Sequence, residues 1–277
     1  MTETWINSQQ GELISIQDRG LAYGDGFFAT MRVNPLGEIL FLESHLARLS
    51  QAAFRLKMKH ASGWWQPSNQ LVTHLKSLAQ SNPNRGLKLI ITRGVSGRGY
   101  QPASDFTACE IISVFSIPAH YQHWQCSGIK LANSTVALAS QPLLAGIKHL
   151  NRLEQVLIKS FPLPQGFDDW LVYDYQQRLI ESSMANIFLF IDGKWLTPKI
   201  SHAGVAGVMR ENTIYGLAEL GFDVAVTDVY QDQIMNASHA VISNSLFGLV
   251  DVLQLEQQKI TPWPLTKKLT NILGVSL

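Results

Sequence analysis

Three short stretches of this chain carry residue types whose spacing suits chemistry. In Gly146-Ile147-Lys148-His149-Leu150-Asn151-Arg152-Leu153 an amine precedes a run with apolar residues at 150, 153, 156 and 157, the spacing of one helix face. A lysine held at the mouth of such a helix and partly desolvated can act as a nucleophile toward a carbonyl. A solvated lysine at a helix start is the plainer reading of the same residues. Further along, Leu179-Ile180-Glu181-Ser182-Ser183-Met184-Ala185-Asn186 sets a carboxylate and small polar residues between two apolar runs. Glu181 is there either as part of a site or as a solvated strand-end carboxylate. Ala203-Gly204-Val205-Ala206-Gly207-Val208-Met209-Arg210 then leads a glycine-bearing loop into a helix. Exposed amides at a helix start suit a phosphate, although ordinary connections into helices carry glycines too.

The elements that would hold these residues alternate between strand and helix patterns, with no repeat and no low-complexity tract. Residues 37–42 read as a strand, and 43–57 as a helix with Leu46, Leu49, Ala53 and Leu56 on one side. Ser68 can cap a helix running through Leu78. Residues 87–92 and 108–115 read as buried strands. Together, residues 1–115 form a small N-terminal α/β domain, and 116–122, which contain Pro118, are the expected linker. Residues 123–277 form a larger C-terminal domain: strands at 128–132, 169–174, 186–191 and 222–226, the Lys148 helix, a helix at 208–220 and a last helix after Pro264. Asp192-Gly193 signals a hairpin.

A chain of 277 residues can bury a substantial core and make two domains. Lys+Arg 22 against Asp+Glu 21 leaves a formal net charge of +1, which gives no broad basic footprint for nucleic acid. Small-molecule chemistry is expected instead. No apolar stretch approaches the roughly 18–20 residues of a membrane span, and Met1-Thr2-Glu3-Thr4 lacks the regions of a signal peptide, so a cytoplasmic location is expected. Cys109 and Cys126 are too few for a disulfide scaffold and read as reduced structural thiols. The eight histidines include no i, i+4 helix pair, so no metal is expected.

At this point the residues carry a resemblance. Asp18-Arg19-Gly20-Leu21-Ala22-Tyr23-Gly24-Asp25-Gly26-Phe27-Phe28-Ala29-Thr30 and His45-Leu46-Ala47-Arg48-Leu49 are followed in order by the Lys148, Glu181 and Gly207 stretches and by Ile242-Ser243-Asn244-Ser245-Leu246. This ordered set resembles the fold-type IV pyridoxal-phosphate enzymes, the family of branched-chain and D-amino-acid aminotransferases and aminodeoxychorismate lyase. Within it, Lys148 to Gln155 and Arg93-Gly94-Val95-Ser96-Gly97-Arg98-Gly99-Tyr100 resemble the lyase members, while the loops at Ser182-Ser183-Met184 and Asn244-Ser245 depart from the commoner transaminase forms.

The resemblance implies a two-domain fold of the D-amino-acid aminotransferase type (α+β / α/β), with pyridoxal 5'-phosphate in the interdomain cleft and a homodimeric assembly. It implies Lys148 as the Schiff-base residue and base, Glu181 on the pyridine nitrogen, and Arg48 with Gly207, Val208, Met209, Asn244 and Ser245 around the phosphate. Without the family, Arg48 would read as a surface arginine on an amphipathic helix. Thr30 is a candidate for proton transfer, equally readable as a packed strand threonine. Arg98 and Tyr100 are candidates for substrate carboxylates, against the alternative of a plain flexible loop. Asn151 and Arg152 either orient substrate or stabilise the helix. The implied reaction, a step in folate biosynthesis, converts 4-amino-4-deoxychorismate to 4-aminobenzoate and pyruvate. A D-amino-acid or branched-chain transaminase is the alternative, and a non-catalytic binding protein on this fold a more remote one.

Overall fold

The computed structural model describes residues 3–60 and 62–277 and divides into two compact units. The first comprises Met1–Ile117 with Ile147–Asn151, the second Pro118–Gly146 with Arg152–Leu277.

In chain order the first unit holds β1 (Glu3–Ile6), β2 (Gln9–Gln10), α1 (Arg19–Tyr23), β3 (Gly26–Arg32), α2 (Leu42–Arg55), β4 (Lys59–His60), β5 (Gly63–Trp64), α3 (Asn69–Ser81), β6 (Arg85–Thr92) and β7 (Cys109–Ser116). Five of the strands form a sheet in the order β2-β1-β7-β6-β3, antiparallel throughout, and β4 pairs with β5. Side chains alternate along a strand, so Phe27, Ala29 and Met31 of β3 enter the core while Phe28, Thr30 and Arg32 take the opposite face. That core also contains Leu49 of α2, Leu75 of α3 and Leu89 of β6. Each large side chain fully buried there contributes about 1.5–3 kcal/mol. Ser68 caps α3 as its type suggests, its Oγ accepting from Leu71 N at 3.1 Å.

The second unit runs α4 (His120–Ser127), β8 (Ile129–Asn133), α5 (Leu153–Ser160), β9 (Asp169–Tyr173), β10 (Leu179–Ser182), β11 (Asn186–Ile191), β12 (Lys194–Pro198), α6 (Val208–Glu219), β13 (Val224–Thr227), α7 (Gln231–Ile234), β14 (His239–Asn244), β15 (Gly248–Leu255), β16 (Gln258–Lys259) and α8 (Thr266–Ile272). Its sheet follows the order β10-β9-β8-β15-β14-β11-β12-β13, with β16 paired to β15. Strand β8 runs parallel to β9 and β15, and β12 parallel to β13; the other pairs are antiparallel. The β11–β12 hairpin turns on Asp192 and Gly193 at φ 49° and 79°, the positive angles a two-residue hairpin loop of the primed type requires. One core cluster gathers around Trp170, Val172 and Ile180, another around Phe188, Trp195 and Leu249. Among the described residues no helix is long and apolar enough to cross a membrane.

Two expectations of local structure are overturned. Lys148 does not stand at the mouth of a helix: α5 begins only at Leu153, and Leu153, Val156 and Leu157 are exposed, leaving Ile158 buried. Residues 147–151 are instead extended beside β3, with Phe28 N donating to Lys148 O at 2.9 Å and Leu150 N to Gly26 O at 3.0 Å. This pairing satisfies the backbone and buries Ile147 in the first core, a gain that helical periodicity cannot register. The second correction concerns residues 37–42, which form no strand. Gly37 (φ 77°) and Phe41 (φ 54°) are left-handed, so only the Val33–Ile39 bridge survives before α2 begins at Leu42. Strands β1, β14 and β15, and helix α4 starting inside residues 116–122, add elements that the pattern did not suggest.

Candidate active site

In the first unit, Lys148 lies on the Phe28 side of β3. Its Nζ is 4.8 Å from the centroid of the Phe28 ring, a cation–π distance. Thr30 occupies the same face of the strand two residues on, half-buried opposite Lys88. The strip is fixed at its far end by Asn151, whose Nδ2 donates to Gly24 O at 3.1 Å. Gly24 has φ 66°, and a Cβ there would lie 2.3 Å from Asn151 Oδ1, so only glycine allows this approach.

Helix α2 brings cationic and neutral groups toward the same lysine. Arg48 is partly buried, and its Nε has no hydrogen-bond partner among the described residues. Burial pulls its pKa down to about 10, which leaves it charged at neutral pH. One helical turn earlier, His45 is fully buried with neither ring nitrogen bonded. Burial foremost, then the charges of Arg48 and Lys148, push its pKa well below the usual histidine range, so it stays neutral. Arg48, whose Nε lacks a partner among the described residues, and neutral His45 thus bring an uncommitted guanidinium donor beside Lys148, an arrangement that suits an anion.

The second unit holds a different arrangement. Glu181 is buried, and its Oε2 accepts from Val205 N at 3.0 Å. Asn186 grips the same loop, donating from Nδ2 to Val205 O at 2.8 Å and accepting at Oδ1 from Gly207 N at 3.1 Å. A Cβ on Gly207 would sit 2.2 Å from that Oδ1. The Gly207 amide is therefore engaged by Asn186, while α6 starts with no side-chain cap on its first turn, at buried Val208 and Met209. Such a start presents amides and a positive dipole end to an anion. Gly146 is tied to this loop as well, its N donating to Gly204 O and its O accepting from Ala206 N. Arg152 feels the charges of Glu181 and Glu154, which partly offset the lowering of its pKa by burial. It takes the N-cap position of α5 without a side-chain capping bond. Asn244 is spent on structure: Oδ1 accepts from Leu246 N and Phe247 N, both at 2.9 Å, and Nδ2 donates to Met184 O. Ser245 is half-buried in the following turn.

Arg98 and Tyr100 belong to the first unit. Both are exposed, Tyr100 at 87 %, on the loop between β6 and β7. Their backbone is nonetheless held, because Arg19 donates to Gly99 O at 2.9 Å and to Tyr100 O at 3.0 Å.

Four residues beside these positions escaped the reading of the sequence. Phe28 and Arg32 flank Thr30 at a spacing of two, and Arg32 is buried, with burial lowering its pKa to about 10. Strand alternation outward from Thr30 identifies both. His45 lies one turn from Arg48, and Asn186 follows Glu181 at the start of the next strand; a histidine on the buried face of a helix was the available signal for the first.

Comparison with known proteins identifies the family. The chain is 34% identical over 248 residues to an aminodeoxychorismate lyase of Vibrio harveyi, covering 90% of this chain and 89% of that protein. It is 26% identical over 270 residues to a D-alanine aminotransferase of Bacillus licheniformis, covering 95% and 92%. The crystal structure of 4-amino-4-deoxychorismate lyase from Pseudomonas aeruginosa superposes with a TM-score of 0.89 at 34% identity, covering 98% of this chain and 97% of that one. Residues 26–255 match the family described as amino-transferase class IV, and the chain belongs to that family.

Proposed function

We propose that the protein is an aminodeoxychorismate lyase, using pyridoxal 5'-phosphate to convert 4-amino-4-deoxychorismate to 4-aminobenzoate and pyruvate. The observation that carries the reading is the rigid Lys148 strip beside Arg48 and His45, in a chain 34% identical over 90% of its length to a lyase. The orphaned Nε of Arg48 and the uncapped start of α6 fit a cofactor phosphate. In the first unit Arg48 is the residue suited to that phosphate; in the second the amides of Val208 and Met209 and the turn at Asn244 and Ser245 are, with Gly207 held by Asn186. Glu181, fixed by Val205 N, would hold the pyridine nitrogen, and Lys148 would anchor the aldehyde carbon.

When bound, pyridoxal phosphate supplies an electron-withdrawing ring that stabilises negative charge beside the substrate's amino group. Lys148 is the residue whose amine would take the C4 proton. Backbone pairing on β3 keeps that amine in position, and Phe28 bounds its path. Thr30, on the Phe28 face, is the candidate to pass a proton toward the departing enolpyruvyl group. Arg98 and Tyr100 would meet the substrate carboxylates, with Asn151 and Arg152 orienting it. Aromatisation of the ring drives the elimination, so the protein has chiefly to position groups and move protons. The same reading makes the protein a cytoplasmic homodimer.

A transaminase acting on D-alanine is the second reading, favoured by the match to the Bacillus licheniformis enzyme. Incubation of the protein with 4-amino-4-deoxychorismate should release pyruvate and 4-aminobenzoate in equal amounts. Turnover confined to D-alanine or leucine with 2-oxoglutarate refutes the lyase reading.

A further inference from the structure

The buried ionic cluster at the start of β3 takes no part in the chemistry above. Arg19 and Arg93 are 3% and 4% exposed, and their two Nε atoms donate to the same oxygen, Asp25 Oδ2, each at 2.8 Å. Arg93 spends its other nitrogens on the carbonyls of Leu56 and Lys57, just past the end of α2. Arg19 spends its own on two successive carbonyls, Gly99 and Tyr100. Tyr23 closes the arrangement: its ring lies 4.8 Å from the Arg19 guanidinium carbon, and its hydroxyl accepts from Gly99 N at 3.0 Å. Below the loop, Asp18 caps α1 through Gly20 N and accepts from Thr92 Oγ1 at 2.8 Å.

Two buried guanidinium groups sharing one carboxylate oxygen are a costly way to gain stability, because desolvation offsets much of their attraction. The fork of a guanidinium, however, fixes two acceptors at once, and here the acceptors are two successive carbonyls, Gly99 and Tyr100, within the tip that carries Arg98 and Tyr100. We propose that Arg19 is a positioning residue that sets the conformation of the 97–101 loop for substrate, with Asp25 and Arg93 holding Arg19 in place. This rests on the reading that Arg98 and Tyr100 meet the substrate.

Arg19→Lys tests it, since an ammonium retains the charge beside Asp25 but cannot span both carbonyls. The KM for 4-amino-4-deoxychorismate should rise about ten-fold, the value of a lost charge-assisted hydrogen bond. The kcat should stay within about two-fold of wild type, because the interaction serves binding and not the chemical step. Cofactor absorption should not change, and amide exchange at residues 97–101 should quicken. In an Arg98→Ala background, Arg19→Lys should add nothing further to KM. Effects on KM that multiply, or a loop that exchanges no faster, overturn the proposal. If Arg19→Lys fails to fold, Tyr23→Phe removes the acceptor of Gly99 N without disturbing a buried charge and is judged by the same criteria. The two claims fail differently. An unchanged KM in Arg98→Ala refutes the substrate role of the loop and takes the proposal with it. A raised KM in Arg98→Ala with none in Arg19→Lys removes the proposal alone.

Discussion

The strip at Ile147–Asn151 and the loop at residues 95–101 both belong to the first unit, and they are held in opposite ways. The strip is fixed through its own backbone, by bonds to Gly26 and Phe28 and by a buried Ile147. The loop is fixed by side chains that reach it from elsewhere, Arg19 and Tyr23, while its own Arg98 and Tyr100 are exposed. Backbone pairing gives a lysine one position for every turnover, as proton transfer demands. A loop held at two carbonyls keeps its path yet leaves Arg98 able to adapt, as binding of a charged substrate allows.

Substitutions can break or sharpen this contrast. The largest effect belongs to the strip: Lys148→Ala should lower turnover by at least about a thousand-fold, at or beyond the range of a lost general base. Residual activity within ten-fold of wild type would contradict the role given to the amine. Next, Arg48→Ala should weaken cofactor affinity by roughly ten- to a hundred-fold, the worth of a charge-assisted contact, measured by absorbance titration. Unchanged affinity would take the phosphate away from α2.

Gly24→Ala probes the lock itself, because its methyl would meet Asn151 Oδ1 at 2.3 Å in a left-handed backbone. A loss of about 1–3 kcal/mol in urea unfolding is expected. A neutral result would mean that the end of the strip is free to shift.

The cluster beneath the loop should show itself through acid. Burial acts to raise the pKa of Asp25, but the hydrogen bonds from Arg93 and Arg19 outweigh it and hold the carboxyl below its ordinary value. The sign follows: the stabilisation from Asp25 is complete above about pH 4, the unfolded value, and drains away as pH falls toward the folded one. The stability gap between wild type and Asp25→Asn should thus be flat from neutrality to that point and shrink below it. A gap that widens in acid contradicts the pairing. Smallest of all, Arg98→Ala should change stability by less than about 0.5 kcal/mol, as for other exposed side chains. Its effect should fall on KM.

The difference between strip and loop also explains what the amino-acid sequence revealed. Lys148, Glu181 and Arg48 were legible as types in order, and so were elements with strong local signals: the Ser68 cap, the Asp192-Gly193 hairpin and the β6 and β7 strands. The setting of Lys148 was not, because its strand-like state comes from pairing with β3, far away along the chain. Periodicity counted Leu150 with Leu153 and Val156, and the real helix starts later and leaves Leu153 and Val156 exposed. The Arg19–Asp25–Arg93 cluster was hidden for the same reason, since Arg93 lies on the far side of a strand pair from Asp25. His45 and Asn186 stood in the quoted stretches without a role, because a buried polar residue declares itself only when its surroundings are known.

The central claim is that the Lys148 amine, locked on β3, carries the cofactor. The most direct measurement is borohydride reduction of the cofactor-loaded protein followed by proteolysis and mass mapping of the labelled peptide. The account predicts one pyridoxyl label per chain, located on Lys148 and absent from Lys148→Ala. A label on another lysine, or none in a protein that still forms pyruvate and 4-aminobenzoate, would contradict it.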